Sequence, residues 1–230
     1  MELFLNITGD LLRGFSSSIL LFLLTLVFAL PLGLLISFCT MSKHKVLSVP
    51  FKIIVWILRG TPLMLQIFAV FYVPGLLFGF IWPTMNTGWE WFDTTVSTRF
   101  IAALVAFVIN YAAYFSEIFR GGIQSISKGQ YEAGQVLGMS RTDVFFKVVL
   151  LQVVKRVLAP MSNEVITLVK DTALANVIAV TELMYWGTYQ LTDKGLVWPI
   201  FYAGAFYLIF VGLLTILFGK LEKKLDYFKA

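Results

Sequence analysis

The chain contains one cysteine and one histidine in 230 residues. A disulfide needs two thiols and a Cys/His metal centre needs several clustered ligands, so Cys39 and His44 alone exclude both. His44 sits between Lys43 and Lys45, and no Ser/His/Asp arrangement can be built around it. G-x-x-x-x-G-K-[ST] occurs nowhere, so the chain is not itself a P-loop ATPase. Charge is scarce as well. Asp, Glu, Lys and Arg make up 13 % of the residues, against about 25 % in soluble domains. By sequence the chain is not an enzyme.

Hydrocarbon is abundant instead. Hydrophobic residues are 59 % of the chain and the mean hydropathy is +0.84. Several runs of about 20 nearly uncharged residues give an all-α, polytopic membrane protein, because in lipid a helix satisfies its own backbone. A β-barrel would show alternating segments of about ten residues, and none are present. The first run is too long for a signal-peptide core and no small-residue cleavage site follows it, so it counts as a span. About five spans are expected, at 15–38, 51–80, 99–119, 157–180 and 197–219. Pro31 is expected to kink the first, and Arg59-Gly60-Thr61-Pro62 interrupts the second. With no repeat and no low-complexity linker, residues 1–230 form a single domain.

Basic residues set the orientation. Thirteen lie on one side: Lys43, Lys45 and Lys52; Arg120, Lys128, Arg141, Lys147, Lys155 and Arg156; and Lys220, Lys223, Lys224 and Lys229. Three, Arg13, Arg99 and Lys194, lie on the other. The rich side is expected to be cytoplasmic, with the N-terminus outside and the C-terminus inside. Trp82, Trp89, Trp91 and Phe92 in one outer loop, and Tyr185, Trp186, Tyr189 and Trp198 around the other, suit an interfacial aromatic belt. The net charge of +5 is thereby explained by topology. The partner implied is the lipid bilayer, and nucleic acid is not called for.

The connection at 120–156 is the longest stretch of mixed polarity. Ser127-x-x-Gln130 and Ser140-x-x-Asp143 have the spacing of helix starts. A short helix is expected over 128–137, with Glu132 near its positive end. Gly138 follows as a turn residue. From Arg141 a second helix would present Val144, Phe145, Val148 and Leu151 on one face.

Glu132-Ala133-Gly134, three residues, Gly138, nine residues, then Val148-x-Leu150 resembles the cytoplasmic signature of ABC-importer permease subunits: Glu-Ala-Ala, three residues, Gly, nine residues, Ile-x-Leu-Pro. Gly134 stands for the second Ala, Val148 for the Ile and Leu151 for the Pro. Losing the Pro implies a straighter run into the fourth span. Phe115–Ile123, Gly129-Gln130, Arg59-Gly60-Thr61-Pro62 and Lys170-Asp171-Thr172 are similar to the subfamily that imports polar amino acids. The likeness covers nearly the whole chain, in order.

The resemblance implies that Gln130, Glu132, Ala133, Gly134, Gly138, Met139 and Arg141 form a coupling helix docked on a separate ABC ATP-binding subunit. That subunit would use ATP and magnesium, and no cofactor is expected on this chain. It further implies a second permease subunit, identical or related, an extracytoplasmic amino-acid-binding protein, and residence in a bacterial plasma membrane.

The fourth span carries Glu164, Lys170 and Asp171. Each costs about 2.5–3.5 kcal/mol at a lipid-facing helix centre, so they face protein or water. At 100° per residue Glu164, Thr167 and Asp171 share a stripe, and Asn163 and Lys170 lie beside it. Carboxylates with a lysine complement the two charges of an amino acid; they also suit a structural ion network. At the interruption, Arg59, Thr61 and Gln66 could serve a polar substrate or a plain proline kink. Glu117 and Arg120 are expected to pair locally. The substrate path is therefore assigned to Arg59, Thr61, Gln66, Asn163, Glu164, Thr167, Lys170, Asp171 and Thr172. The competing reading is an ion-gradient-driven carrier or channel using the same charges.

Overall fold

The computed structural model describes residues 1–84 and 87–225. Lys229, counted above with the basic tail, lies outside the described residues. In order, the chain forms α1 (Glu2–Met41), α2 (Lys45–Gly60), α3 (Leu63–Phe78), α4 (Glu90–Thr95), α5 (Thr98–Gln124), α6 (Lys128–Val136) and α7 (Arg141–Val144). A π-helical turn at Phe145–Val149 leads into α8 (Leu150–Asp171). A 3-10 segment at Thr172–Ile178 precedes α9 (Leu183–Lys194) and α10 (Trp198–Leu225). Among the described residues there is no strand.

Three helices, α1, α5 and α10, are long and apolar enough to cross a bilayer, and α2 with α3 makes a fourth if the bent pair counts as one. The helix α8 falls outside this group because Lys155, Arg156, Glu164, Lys170 and Asp171 interrupt its apolar face.

The helix α1 has 40 residues, or about 60 Å at 1.5 Å per residue, twice the hydrocarbon thickness. It continues through Pro31 without a break. Gly14, Ser18, Leu21, Thr25, Ala29, Gly33, Ser37 and Thr40 are all buried and recur every three or four residues. Such a stripe of mostly small side chains lets backbones approach. At Gly33 an added methyl would meet the Ala112 carbonyl at 3.0 Å. Accordingly α1 packs most extensively on α5 and then on α9. The core is centred on α5, where Phe100, Phe107, Tyr111 and Phe115 are essentially inaccessible. By contrast α10 turns Leu208, Ile209, Leu213 and Ile216 outward, an apolar surface of the kind that lipid can cover.

The expected interruption of the second span is a corner: α2 and α3 meet at 109°. Thr61 precedes a proline, which disfavours the helical conformation, and both Thr61 (φ −115, ψ 144) and Pro62 (φ −60, ψ 134) are extended.

Candidate functional site

Proline at 62 has no N–H for the Leu58 carbonyl, so the corner needs other donors. Gln66 Nε2 donates to the Leu58 carbonyl at 2.7 Å, to the Thr61 carbonyl at 3.2 Å and to Thr61 Oγ1 at 2.8 Å. Asn110 Nδ2 on α5 donates to Gln66 Oε1 at 3.0 Å and to the Leu58 carbonyl at 3.4 Å. Thr61 Oγ1 takes the Ile57 carbonyl at 2.9 Å, and Tyr114 Oη the Arg59 carbonyl at 3.4 Å. The Ile57, Leu58 and Arg59 carbonyls near the end of α2 are thus each held by a side chain.

Arg59 leaves this corner with 43 % of its side chain exposed and reaches Glu117 at 3.7 Å, over the ring of Tyr114. Glu117 also binds Arg120 through two contacts of 2.6 and 2.9 Å, the expected local pair, and Arg120 continues to Gln124 at 2.9 Å.

On α8, Glu164, Thr167 and Asp171 are half-buried on one face, while Asn163 and Lys170 are exposed beside it. Tyr111 Oη donates to Asp171 Oδ2 at 2.7 Å. Thr172 points inward, fully packed, with its hydroxyl on the Val169 carbonyl at 2.7 Å. The three ion pairs among the described residues do not involve Lys170. The structure therefore brings Arg59, Thr61 and Gln66 together at the corner, and Glu164, Thr167 and Asp171 together on α8. Between them runs the face of α5.

The second group is a hairpin. Ser127 occupies the N-cap of α6, although its hydroxyl makes no capping bond. Gly138 has φ +72, and Gly138 N–H to the Gln135 carbonyl (2.9 Å) with Met139 N–H to the Gly134 carbonyl (3.0 Å) closes α6 in a Schellman motif. Ser140 then caps α7: its oxygen accepts from Asp143 N–H at 3.1 Å and its hydroxyl donates to Asp143 Oδ2 at 2.6 Å. Lys147 lies 2.6 Å from the same carboxylate. Lys147 first, and Ser140 with it, hold the Asp143 carboxyl below its usual range.

The expected face of the second helix needs correction at its far end. Val144 is buried and Phe145 and Val148 pack against the same core, but Leu151 is 49 % exposed; the buried series is Val144, Val149, Val153 and Val157. The wide turn at Phe145–Val149 inserts one residue into the helical repeat and rotates everything after it. Beyond it the helix runs straight into α8, as expected where Leu151 replaces a proline. These valines, with Ile126, form a small core of their own, and Arg156 Nη1 closes the end of α5 on the Ser125 carbonyl at 2.8 Å. Gly134 faces inward, Gln130 is half-buried, and Met139 joins the hairpin core. Glu132, Ala133 and Arg141 are exposed. Val136 and Leu137, at the tip, are 87 % and 78 % exposed.

The family model for the binding-protein-dependent transport system inner membrane component matches residues 29–227. The chain belongs to this family. It is an inner-membrane, multi-pass component. The L-cystine transport system permease protein of Bacillus subtilis is 34 % identical over 220 residues, 94 % of this chain and 87 % of the relative. The arginine ABC transporter permease protein of Haemophilus influenzae is 32 % identical over 226 residues, 95 % and 93 %. A crystal structure of an amino acid ABC transporter with histidines superposes with a TM-score of 0.82 at 25 % identity, covering 96 % of each chain. These are ABC transport permeases, which favours the importer expectation over the ion-gradient one.

In this transport component, sequence reasoning missed Asn110, Tyr111 and Tyr114. The available signal was a polar stripe on α5, at Asn110, Tyr114 and Glu117, spaced three to four residues apart. It also missed Glu182, which is 0 % exposed. Its two oxygens accept from Met184 and Tyr185 N–H at 2.7 Å, capping α9, and Tyr207 Oη donates at 3.0 Å. An acidic residue just before an apolar helix was a legible N-cap; its burial between α1 and α10 was not.

Proposed function

We propose that this chain is the membrane-spanning subunit of an ATP-driven importer of polar amino acids. Five crossings are assigned, α8 being the fourth, with the N-terminus outside and the C-terminus inside. Two such subunits enclose the path, and an extracytoplasmic binding protein delivers the cargo. A separate subunit hydrolyses ATP with magnesium. The names of the relatives, which concern cystine and arginine, support amino acids as cargo.

The observation that carries the reading is the hairpin of α6 and α7. A Schellman turn and the Ser140 cap fix the joint between α6 and α7, a small core ties the hairpin to the ends of α5 and α8, and Glu132, Val136 and Leu137 are presented away from that core. A small rigid body with an exposed apolar tip suits docking into a groove of another subunit. Through the π-helical turn it continues into α8, so a push on α6 is delivered to the helix bearing Glu164 and Asp171.

For the path, Arg59 at the corner and Glu164, Thr167 and Asp171 on α8 are the assigned contacts, with Asn163 and Lys170 at the margin. A carboxylate pair and a guanidinium offer partners to both ends of a zwitterion. Thr61 and Gln66 act by keeping the corner, whose hydrogen bonds they complete. Thr172 is assigned to holding the 3-10 segment rather than to the path.

The test is purification of the tagged chain from native membranes, followed by assay for a co-purifying P-loop ATPase. Val136→Asp with Leu137→Asp changes only exposed side chains, so the fold is kept while docking is lost. An ATPase that follows the wild type and not the variant supports the reading. Absence of any ATPase from both, across several mild detergents, sinks it.

A further inference from the structure

The side of the bundle that the proposed orientation places outside holds a cleft of about 540 Å³ between α1, α4 and the start of α9. Its volume falls in the range of about 300–1,000 Å³ usual for small-ligand sites. Arg13 of α1 and Glu90 of α4 both line it, as do Trp91, Trp186 and Thr181. The three ion pairs among the described residues lie elsewhere, so these two opposite charges face one space without neutralising each other. Two indoles stand beside them, and an indole face attracts an ammonium group.

The floor of the cleft is firmly built. Thr181 precedes Glu182, whose buried carboxylate caps α9 and meets Tyr207 of α10. Leu183 N–H donates to Ser18 Oγ on α1 at 3.1 Å. Next to Arg13, Gly14 packs so tightly that an added methyl would stand 2.7 Å from the Glu182 carbonyl. A site held this way loses little freedom when a ligand arrives. From Thr181 the chain leads back through Ala179, whose φ of +56 is unusual for a residue with a side chain, and through the 3-10 segment to Asp171.

We propose that this cleft is an outer binding site for a free α-amino acid, with Glu90 taking the ammonium, Arg13 the carboxylate, and Trp91 and Trp186 walling the side chain. The choice of ligand rests on the proposed transport function. The site is separate from the path at Arg59 and Asp171 and would receive the zwitterion before it enters that path.

The experiment uses the chain assembled with its partner ATPase in nanodiscs of phosphatidylglycerol alone. L-Arginine, L-glutamine and L-cystine are titrated separately by saturation-transfer NMR. At least one binds, and Arg13→Gln and Glu90→Gln, both at exposed positions, each weaken it about tenfold, the loss of one charge-assisted contact. The N-acetyl and carboxamide forms of the same amino acid bind the wild type as weakly. Binding that both charge variants keep and that Asp171→Asn loses would belong to the path and overturn the proposal. Equal binding by wild type and both charge variants overturns the proposal. So does the absence of binding by all three amino acids together with binding of glycerophosphoethanolamine, which would assign the cleft to a lipid headgroup. ATP-driven uptake in proteoliposomes, run on the same preparation, reports separately on the transport function: its failure alongside charge-dependent binding would remove that reading and leave the cleft.

Discussion

Gly134 of α6 lies flush against Val144 of α7, so close that a methyl group at position 134 would overlap the valine side chain. The contact closes the hairpin at the point where its own core begins. Gly134→Ala is expected to destabilise the protein by about 1–3 kcal/mol, the usual cost of overpacking. Val144→Ala in the same chain should return part of that loss. Thermal unfolding in detergent, with proteolysis of the 120–156 segment as a local probe, measures both. An alanine variant as stable as the wild type would show that Val144 simply moves aside.

The π-helical turn at Phe145–Val149 carries Phe146, which is 60 % exposed. Deleting Phe146 would leave Val144 and the next three core valines spaced by fours, an ordinary helical repeat. The variant should fold and still bind an ATPase partner. Because α6 and α7 are rotated relative to α8, ATP hydrolysis should no longer respond to substrate. Retained stimulation of hydrolysis would mean that the wide turn is a tolerated irregularity.

At the corner, Asn110→Leu removes one donor to the Leu58 carbonyl and the partner of Gln66 Oε1. Gln66→Leu removes all three bonds made by Nε2. Each hydrogen bond lost costs about 0.5–1.5 kcal/mol. Both variants should unfold at lower temperature, Gln66→Leu by the larger margin. The reverse order would show that α5, rather than α3, holds the corner.

Tyr111→Phe deletes only the hydroxyl that donates to Asp171 at 2.7 Å. Assembly should be unchanged and uptake in proteoliposomes should fall severalfold. Asp171→Asn should fall further, and the double variant no further than Asp171→Asn, since the two groups act as one unit. Independent losses would place Tyr111 outside the path.

Much of this was legible in local patterns. Ser140 with Asp143, and Gly138 after an amphipathic turn, are short-range arrangements whose chemistry is settled within a few residues, and the structure keeps both. The interruption at Arg59–Pro62 is likewise written in the backbone: a proline cannot donate. What the pattern could not supply was the response of the surroundings. The donors that repair the corner come from Gln66 and from α5, and their choice depends on which helix packs there. The helical face was misread at its far end, where Leu151 turns outward and Val149 and Val153 take the core, because a single extra residue in a π turn shifts the register, and apolar residues on either side of the shift look alike.

The sequence by itself determined the class of molecule, the punctuation of its helices and the capped hairpin, because each follows from residue type and spacing along a few turns. Tertiary structure alone decided that Arg59 meets Glu117, that Tyr111 meets Asp171, that Glu182 is buried, and that Arg13 and Glu90 share one cleft. Those pairs are far apart in the chain, and only the packing of α1, α2, α4, α5, α8 and α9 brings their side chains within reach.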